Sequence, residues 1–287
     1  MNIDRKALAR SFSRASARYD AAGELQRLVR TELFSRLEHF DLQPTRILDL
    51  GAGTGAASRE LQRRHPKALV VSLDLSLGML QHAENSIDWL QRVGLRRCPS
   101  RIAADAASLP LATKSLDVVI SSLMLQWCEL DCVFNEVQRV LKPGGLFLFS
   151  TFGATTLQEL RQAWLAVDGQ PRLLDFFDAH DIGSALMRAG FAEPVLDVDR
   201  HIREYADPLA LMRSIKEIGA GNSLTDRSRG MLGRQTLQRV SDHYPRRDDG
   251  VTAANWEVVY GSAFGTATAA AMDNEFVIPL SRIGRRS

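Results

Sequence analysis

Apolar and polar positions follow two rhythms along the chain. Over residues 4–38, Leu8, Phe12, Ala15 and Tyr19 recur at helical spacing, and Leu25, Leu28, Val29, Leu33 and Leu37 resume it after Gly23. That spacing puts the apolar side chains on one helix face, so two helices are predicted before any strand, placed to cover the mouth of whatever follows. From Arg46 the rhythm changes to short apolar runs, predicted as strands at Arg46–Leu50, Leu69–Leu73, Arg101–Ala104, Leu116–Ser121 and Leu146–Thr151. Helical stretches separate them. Ala56–His65 is stopped by Pro66, Leu77–Leu90 follows strand two, and Asp131–Leu141 is stopped by Lys142-Pro143-Gly144-Gly145. Strand and helix in alternation predict an α/β fold around a parallel sheet.

Beyond residue 152 the order loosens. Helices are predicted at Leu157–Val167, Asp178–Ala189, Pro208–Ile218 and Gln235–Tyr244, an apolar loop at Leu173–Phe177, and strands at Pro194–Val198 and Trp256–Phe264. These helices exceed what the sheet needs. Residues 1–40 therefore read as a helical cover and 41–264 as the core, with cap insertions at about 153–177 and 205–250. Residues 265–287 read as a flexible tail.

Composition changes this picture little. A chain of 287 residues, 45% hydrophobic and 24% charged, builds one elaborated domain or two small ones. A net charge of +2 does not advertise nucleic-acid binding. The charge is uneven, however: residues 1–30 carry Arg5, Lys6, Arg10, Arg14, Arg18, Arg27 and Arg30 against Asp4, Asp20 and Glu24. Arg10, Arg14 and Arg18 form one helical stripe, and Arg282, Arg285 and Arg286 crowd the other end. An acidic partner and a plain solvated surface both account for this. Three cysteines without a C-x-x-C pattern argue against a disulfide framework or zinc site. With no apolar run near 18 residues and no signal peptide, a soluble, reducing, cytoplasmic setting without a membrane partner is expected.

The chemistry gathers at the ends of the first strands. Asp49-Leu50-Gly51-Ala52-Gly53-Thr54-Gly55 is a strand, a glycine turn and a helix start, which lets backbone approach a ligand. It departs from the G-x-G-x-x-G of dinucleotide sites and carries an acid before its glycines. Asp74 ends strand two, 19 residues beyond Gly55, placed to hold a ribose diol, and Asp105 ends strand three. Taken singly, Asp49 could shape a turn, Met79 fill a core and Asp105 cap a helix. Acid, glycines, acid, acid at three successive strand ends resembles the class I S-adenosylmethionine-dependent methyltransferases, a Rossmann-like fold. The resemblance implies a seven-stranded, mostly parallel sheet. It makes Asp49, Gly51, Gly53, Asp74, Leu75, Met79, Asp105, Ala106 and Leu123 cofactor residues, with Leu75 and Met79 packing on adenine. Gln126, after strand four, is the polar group best placed to reach a substrate.

Three further segments carry a narrower likeness. Phe12-Ser-Arg14-Ala15-Ser-Ala-Arg18-Tyr19, Leu125-Gln-Trp-Cys128 and Leu211-Met-Arg-Ser-Ile-Lys-Glu-Ile-Gly-Ala220 together resemble the malonyl-(acyl-carrier protein) O-methyltransferases of biotin synthesis, over residues 4–264. The resemblance implies methyl transfer from S-adenosylmethionine to the free carboxylate of a malonyl thioester, on acyl carrier protein or coenzyme A. It implies that Tyr19 and Arg213 serve the substrate carboxylate, with Lys216 beside Arg213, in a monomeric enzyme. An ionised carboxylate needs no general base, and the chain offers no convincing His-Asp or Cys-His pair. A methyltransferase of quinone precursors, or an S-adenosylmethionine-binding assembly factor, shares the core motifs and stays open at this point.

Overall fold

Both predicted N-terminal helices form, as α1 (Arg5–Ala22) and α2 (Glu24–Leu37), with Gly23 between them. Asp4 caps α1 by accepting the Ala7 N–H at 2.9 Å, as an N-cap aspartate should. This computed structural model describes residues 3–86, 97–169, 172–220, 233–246 and 250–267.

The core follows as β1 (Arg46–Leu50), α3 (Ala56–Arg64), β2 (Leu69–Asp74), α4 (Leu77–Asn85), β3 (Ser100–Ala103), β4 (Leu116–Ser122), α5 (Leu130–Val140) and β5 (Leu141–Phe152). Then come α6 (Gln158–Asp168), α7 (Ala179–Arg188), β6 (Ala192–Tyr205), α8 (Pro208–Glu217), α9 (Arg234–Asp242) and β7 (Thr252–Phe264). The strands make one seven-stranded sheet in the order β3-β2-β1-β4-β5-β7-β6. β1 to β5 are parallel, and β7 runs antiparallel to both β5 and β6. Strand order reverses between β1 and β4, where ligands bind such sheets, outside the carboxyl ends of the strands.

Alternation along the strands divides the core. Ile47, Val118, Ile120, Leu148 and Tyr260 meet α2, α3, α6, α8 and α9 on one face. Leu48, Val119, Phe147, Phe149 and Val259 meet α5 and α7 on the other. Burial on both faces is why strands one, four and five read as continuous apolar runs.

Two readings are corrected. Lys142-Pro143-Gly144-Gly145 does not separate a helix from a later strand. β5 begins at once, with Leu141 paired to Leu116, and the glycines make an irregularity before regular pairing resumes at Leu146. Gly144 adopts φ +75° and its N–H reaches Gly265 O at 2.8 Å, so Pro143, which has no donor, costs the ladder little. The sixth strand runs over fourteen residues, well past Pro194–Val198. The predicted end of the helix after strand two falls at residues 87–90, outside the described residues, as do 268–287 of the tail. Gly265 and Thr266, at the start of that tail, are hydrogen-bonded: Gly265 donates to Gly145 O, and Lys114 donates to Thr266 O. Among the described residues no helix is long and apolar enough to cross a membrane.

Candidate active site

The glycine turn is shaped by what packs beneath it. Gly51 has φ +77°, and a Cβ there would lie 2.3 Å from Met124 Cγ, so both conformation and space require glycine. Gly53 has φ +53° and open space where its Cβ would stand. That space is the cleft itself, about 790 Å³ across the carboxyl ends of β1 to β4. Its N–H donates to Asp74 Oδ2 at 2.8 Å, while Ser76 N–H donates to Asp74 Oδ1 at 2.7 Å. Asp74 is thus locked by two backbone donors, with lone pairs left for a ligand. Burial pushes its carboxyl above the ordinary range, and the two donors pull it back.

α1 lies across the three loops that follow β1, β2 and β3, and makes one polar contact with each. Asp20 Oδ1 accepts the Thr54 hydroxyl at 2.7 Å, Ser13 Oγ meets Ser76 Oγ at 2.8 Å, and Arg5 pairs with Asp105. Its apolar side closes the cleft with Leu8, Ala9, Phe12 and Tyr19. Phe12 stands edge-on to Trp127 at 5.6 Å and to Tyr19 at 6.4 Å. Opposite, Leu123 adopts φ +51°, rare for a branched residue, and is held by its N–H to Ser150 O at 2.9 Å. This strain turns Leu123 and Met124 into the cleft wall.

A second compartment of about 410 Å³ continues under the glycine loop, lined by Tyr19, Gln26, Arg30, Asp49, Thr54 and the first turn of α3. Asp49 is fully buried and accepts the Ser58 hydroxyl. Burial, with the Asp74 charge adding to it, raises its carboxyl to about 6.

The donor set fits S-adenosylmethionine. Asp74 and Asp105 face the larger compartment, where a nucleoside presents hydroxyl and amino groups, among Leu75, Met79 and Ala106. Arg30 and the α3 N-terminus suit an amino-acid carboxylate in the smaller one, and Asp49 its ammonium. Aromatic faces at Phe12, Tyr19 and Trp127 suit a sulfonium between them.

Not every expected residue arrives. Gln126 is buried and turned away: its Nε2 donates to Leu123 O at 2.7 Å, and its Oε1 accepts the Thr151 hydroxyl at 3.2 Å. Both polar atoms of Gln126 are thus spent on the backbone at Leu123 and on Thr151. Arg213 and Lys216 are exposed on α8, outside the cleft lining, and Arg213 stands 3.9 Å from the Asp207 carboxylate. Conversely, Arg5, Phe12, Met124, Trp127 and Cys128 line the cleft without having been predicted to do so. Phe12 stood on the predicted helix face with Leu8, Ala15 and Tyr19, and Trp127 within Leu125-Gln-Trp-Cys128, and those were the signals the sequence offered.

The strand order, glycine loop and strand-end carboxylates agree with what the chain resembles elsewhere. A family model described as "Methyltransferase domain" matches residues 48–149. The YcgJ protein of Bacillus subtilis superposes with a TM-score of 0.60 over 82% of this chain and 98% of that one, at 14% identity. The fold is that of a class I, S-adenosylmethionine-dependent methyltransferase. Among curated proteins, the malonyl-(acyl-carrier protein) O-methyltransferase of Gallionella capsiferriformans (strain ES-2) is 44% identical over 283 residues, 97% of each chain. That of Laribacter hongkongensis (strain HLHK9) is 45% identical over 270 residues, 92% of this chain and 90% of its own. The chain belongs to the malonyl-(acyl-carrier protein) O-methyltransferase family.

Proposed function

We propose that this chain transfers the methyl group of S-adenosylmethionine to the free carboxylate of a malonyl thioester carried by acyl carrier protein. The product is the methyl ester that starts the acyl chain of biotin. Family membership supports the substrate. One observation carries the reaction type: the titratable groups lining the cleft are committed elsewhere. Asp74 is held by two N–H donors, and Asp105 by Arg5 and the Ala107 N–H at 2.9 Å. Burial pushes the Cys128 thiol up to about 12, and burial with the nearby Asp74 and Asp20 charges raises the Tyr19 phenol further still. No histidine lines the cleft among the described residues. An acceptor must therefore arrive as its own nucleophile, and an ionised carboxylate does.

Bound S-adenosylmethionine supplies an electrophilic methyl carbon on a positive sulfur. With it bound, an acceptor oxygen would form the new C–O bond as the C–S bond breaks, the electron pair staying on sulfur, so the chain would have no proton to move. The chain's part is positioning and exclusion of water. Phe12, Leu123 and Trp127 supply the dry wall. Tyr19, protonated throughout the neutral range, donates to the carboxylate and leaves the attacking oxygen uncapped. The packed helices α1 and α8 expose Lys6, Arg10, Arg14, Arg18, Arg213 and Lys216. These cations suit an acidic carrier protein at the mouth of the site.

The test is incubation with methyl-labelled S-adenosylmethionine and malonyl-acyl carrier protein or malonyl-CoA. Label in a base-labile methyl ester is expected. Binding of the cofactor without ester from either donor would return the assembly-factor or quinone-precursor reading.

A further inference from the structure

Beside the cofactor cleft, and sharing Trp127 with it, lies a separate cavity of about 460 Å³. Its walls come from distant parts of the chain: Phe152 at the end of β5, the loop at Leu173, Leu174 and Phe176, Ile215 and Ile218 on α8, and Trp256 on β7. The cavity is preformed. Phe152 packs on Trp256 at 5.3 Å and on Phe176 at 5.7 Å. Arg161 ties down the loop, reaching Asp175 at 2.5 Å and the Leu174 carbonyl.

Two residues of this otherwise apolar lining carry polar groups. Trp256, which also borders a neighbouring pocket with Arg203 and Ser214, is 5% exposed, and its buried Nε1–H has no hydrogen-bond partner among the described residues. An indole N–H in that position ordinarily has an acceptor, and leaving it unpaired is costly. Arg172 also lines the cavity, its guanidinium standing over the Trp164 ring at 5.1 Å. Among the described residues of that lining it carries the positive charge, whereas Arg213 is 69% exposed and lines none of these cavities.

We propose that this cavity is the acceptor pocket: it takes a short acyl thioester ending in a carboxylate, with Arg172 as the countercharge and Trp256 Nε1–H as donor to a carbonyl oxygen. The inference rests on the carboxyl-methylation reading and moves the carboxylate contact from Arg213 to Arg172. The chemistry matches each part. A carboxylate leaving water requires a cation, and guanidinium meets it with a planar pair of donors. A thioester's sulfur and methylenes want apolar walls, while its carbonyl wants one donor. Trp127 then stands between acceptor and cofactor, where the reacting oxygen and methyl carbon must meet.

The experiment uses the full chain saturated with S-adenosylhomocysteine, titrated with malonyl-CoA and with butyryl-CoA, which lacks the carboxylate. Tryptophan fluorescence reads binding, and methyl-ester formation is followed in parallel. Arg172→Gln should weaken malonyl-CoA binding and raise its KM roughly 10- to 100-fold. It should also erase the preference of malonyl-CoA over butyryl-CoA, with S-adenosylhomocysteine affinity unchanged. Trp256→Phe should weaken both acyl-CoAs about 3- to 10-fold. Arg213→Gln should change malonyl-CoA binding less than either. Wild-type affinity for malonyl-CoA in Arg172→Gln, or Arg213→Gln as the more damaging change, overturns the proposal. Should Trp256→Phe fail to bind S-adenosylhomocysteine, and so to fold, Arg172→Gln decides alone. If the wild type forms no ester from malonyl donors, the methylation reading falls, and the malonyl-to-butyryl preference in Arg172→Gln still decides the pocket.

Discussion

The two sides of the sheet's ligand-bearing edge are assembled by different means. Over β1 to β3 each strand carries a carboxylate at or just past its end, Asp49, Asp74 or Asp105, and backbone N–H groups fix the central one. Over β5 and β7 the cavity is gathered from side chains spread from Trp127 to Trp256. The first side is defined by local backbone geometry and has to fit one fixed molecule. The second is defined by which side chains happen to meet, so it can change its acceptor without disturbing the first. That division suits a fold shared with YcgJ at 14% identity.

The sharpest way to break the first side is Asp74→Ala. It removes the carboxylate that orders Gly53 and Ser76 and faces the nucleoside compartment. A loss of about 3 kcal/mol in S-adenosylmethionine binding, over 100-fold, is expected by calorimetry. Unaltered affinity would remove Asp74 from the cofactor site. Gln126→Leu tests whether that residue belongs to either side. It strips partners from Leu123 O and Thr151 Oγ1, so denaturant unfolding should show a loss of about 2 kcal/mol, with the KM for malonyl thioester little changed. A large KM effect at wild-type stability would restore Gln126 to the substrate.

Smaller effects sharpen the border between the sides. Tyr19→Phe should lower kcat about 10-fold and leave cofactor affinity near wild type, since the ring still closes the cleft. Equal loss in both would make Tyr19 a cofactor residue. Reversing the α1 stripe with Arg10→Glu, Arg14→Glu and Arg18→Glu should cut kcat/KM for the carrier-bound substrate several-fold at low salt, and spare malonyl-CoA. Equal losses with both donors would break the carrier assignment.

Asp49 gives a pH test. Its folded value, raised to about 6, lies above its ordinary unfolded one, so the folded chain holds this proton more tightly. The resulting stability is fully present below about 4 and is lost as pH rises through about 6. Asp49→Asn should therefore stabilise the chain by about 1 kcal/mol at pH 7 and by nothing at pH 4, while weakening cofactor binding. Thermal unfolding at the two pH values checks it, and an equal shift at both would mean the burial penalty is absent.

Legibility in the sequence follows the same division. β1 was read to the residue, and β2 and β4 to within one, because strands covered on both faces are continuous apolar runs bounded by turns. β6 was read short because it is the sheet's edge. Its later half carries Asp199, Arg200, Arg203 and Glu204, which look like loop until their partners are seen. Arg203 pairs with Glu24 on α2, and Asp197 with Arg36, contacts that no local pattern announces. The position of Asp49, Asp74 and Asp105 at three successive strand ends was legible from spacing. Arg5 was not, since only the path of α1 brings it to Asp105, one hundred residues away in sequence. Arg172 and Trp256 were invisible for the same reason. Arg213 shows the converse: its motif suggested a role, but its helix turns it outward.

β7 has a consequence for handling the molecule. Because it runs antiparallel to β5, its last residue, Phe264, lies beside Leu146, at the pole opposite the cleft. The chain leaves that pole by Ala267, which is exposed, after Thr266 has been clasped by Lys114 and Gln138. A surface anchor or fluorescent label coupled just beyond this clasp would hold the molecule by its base. The face crossed by α1 would then point into solution, open to a partner as large as a carrier protein.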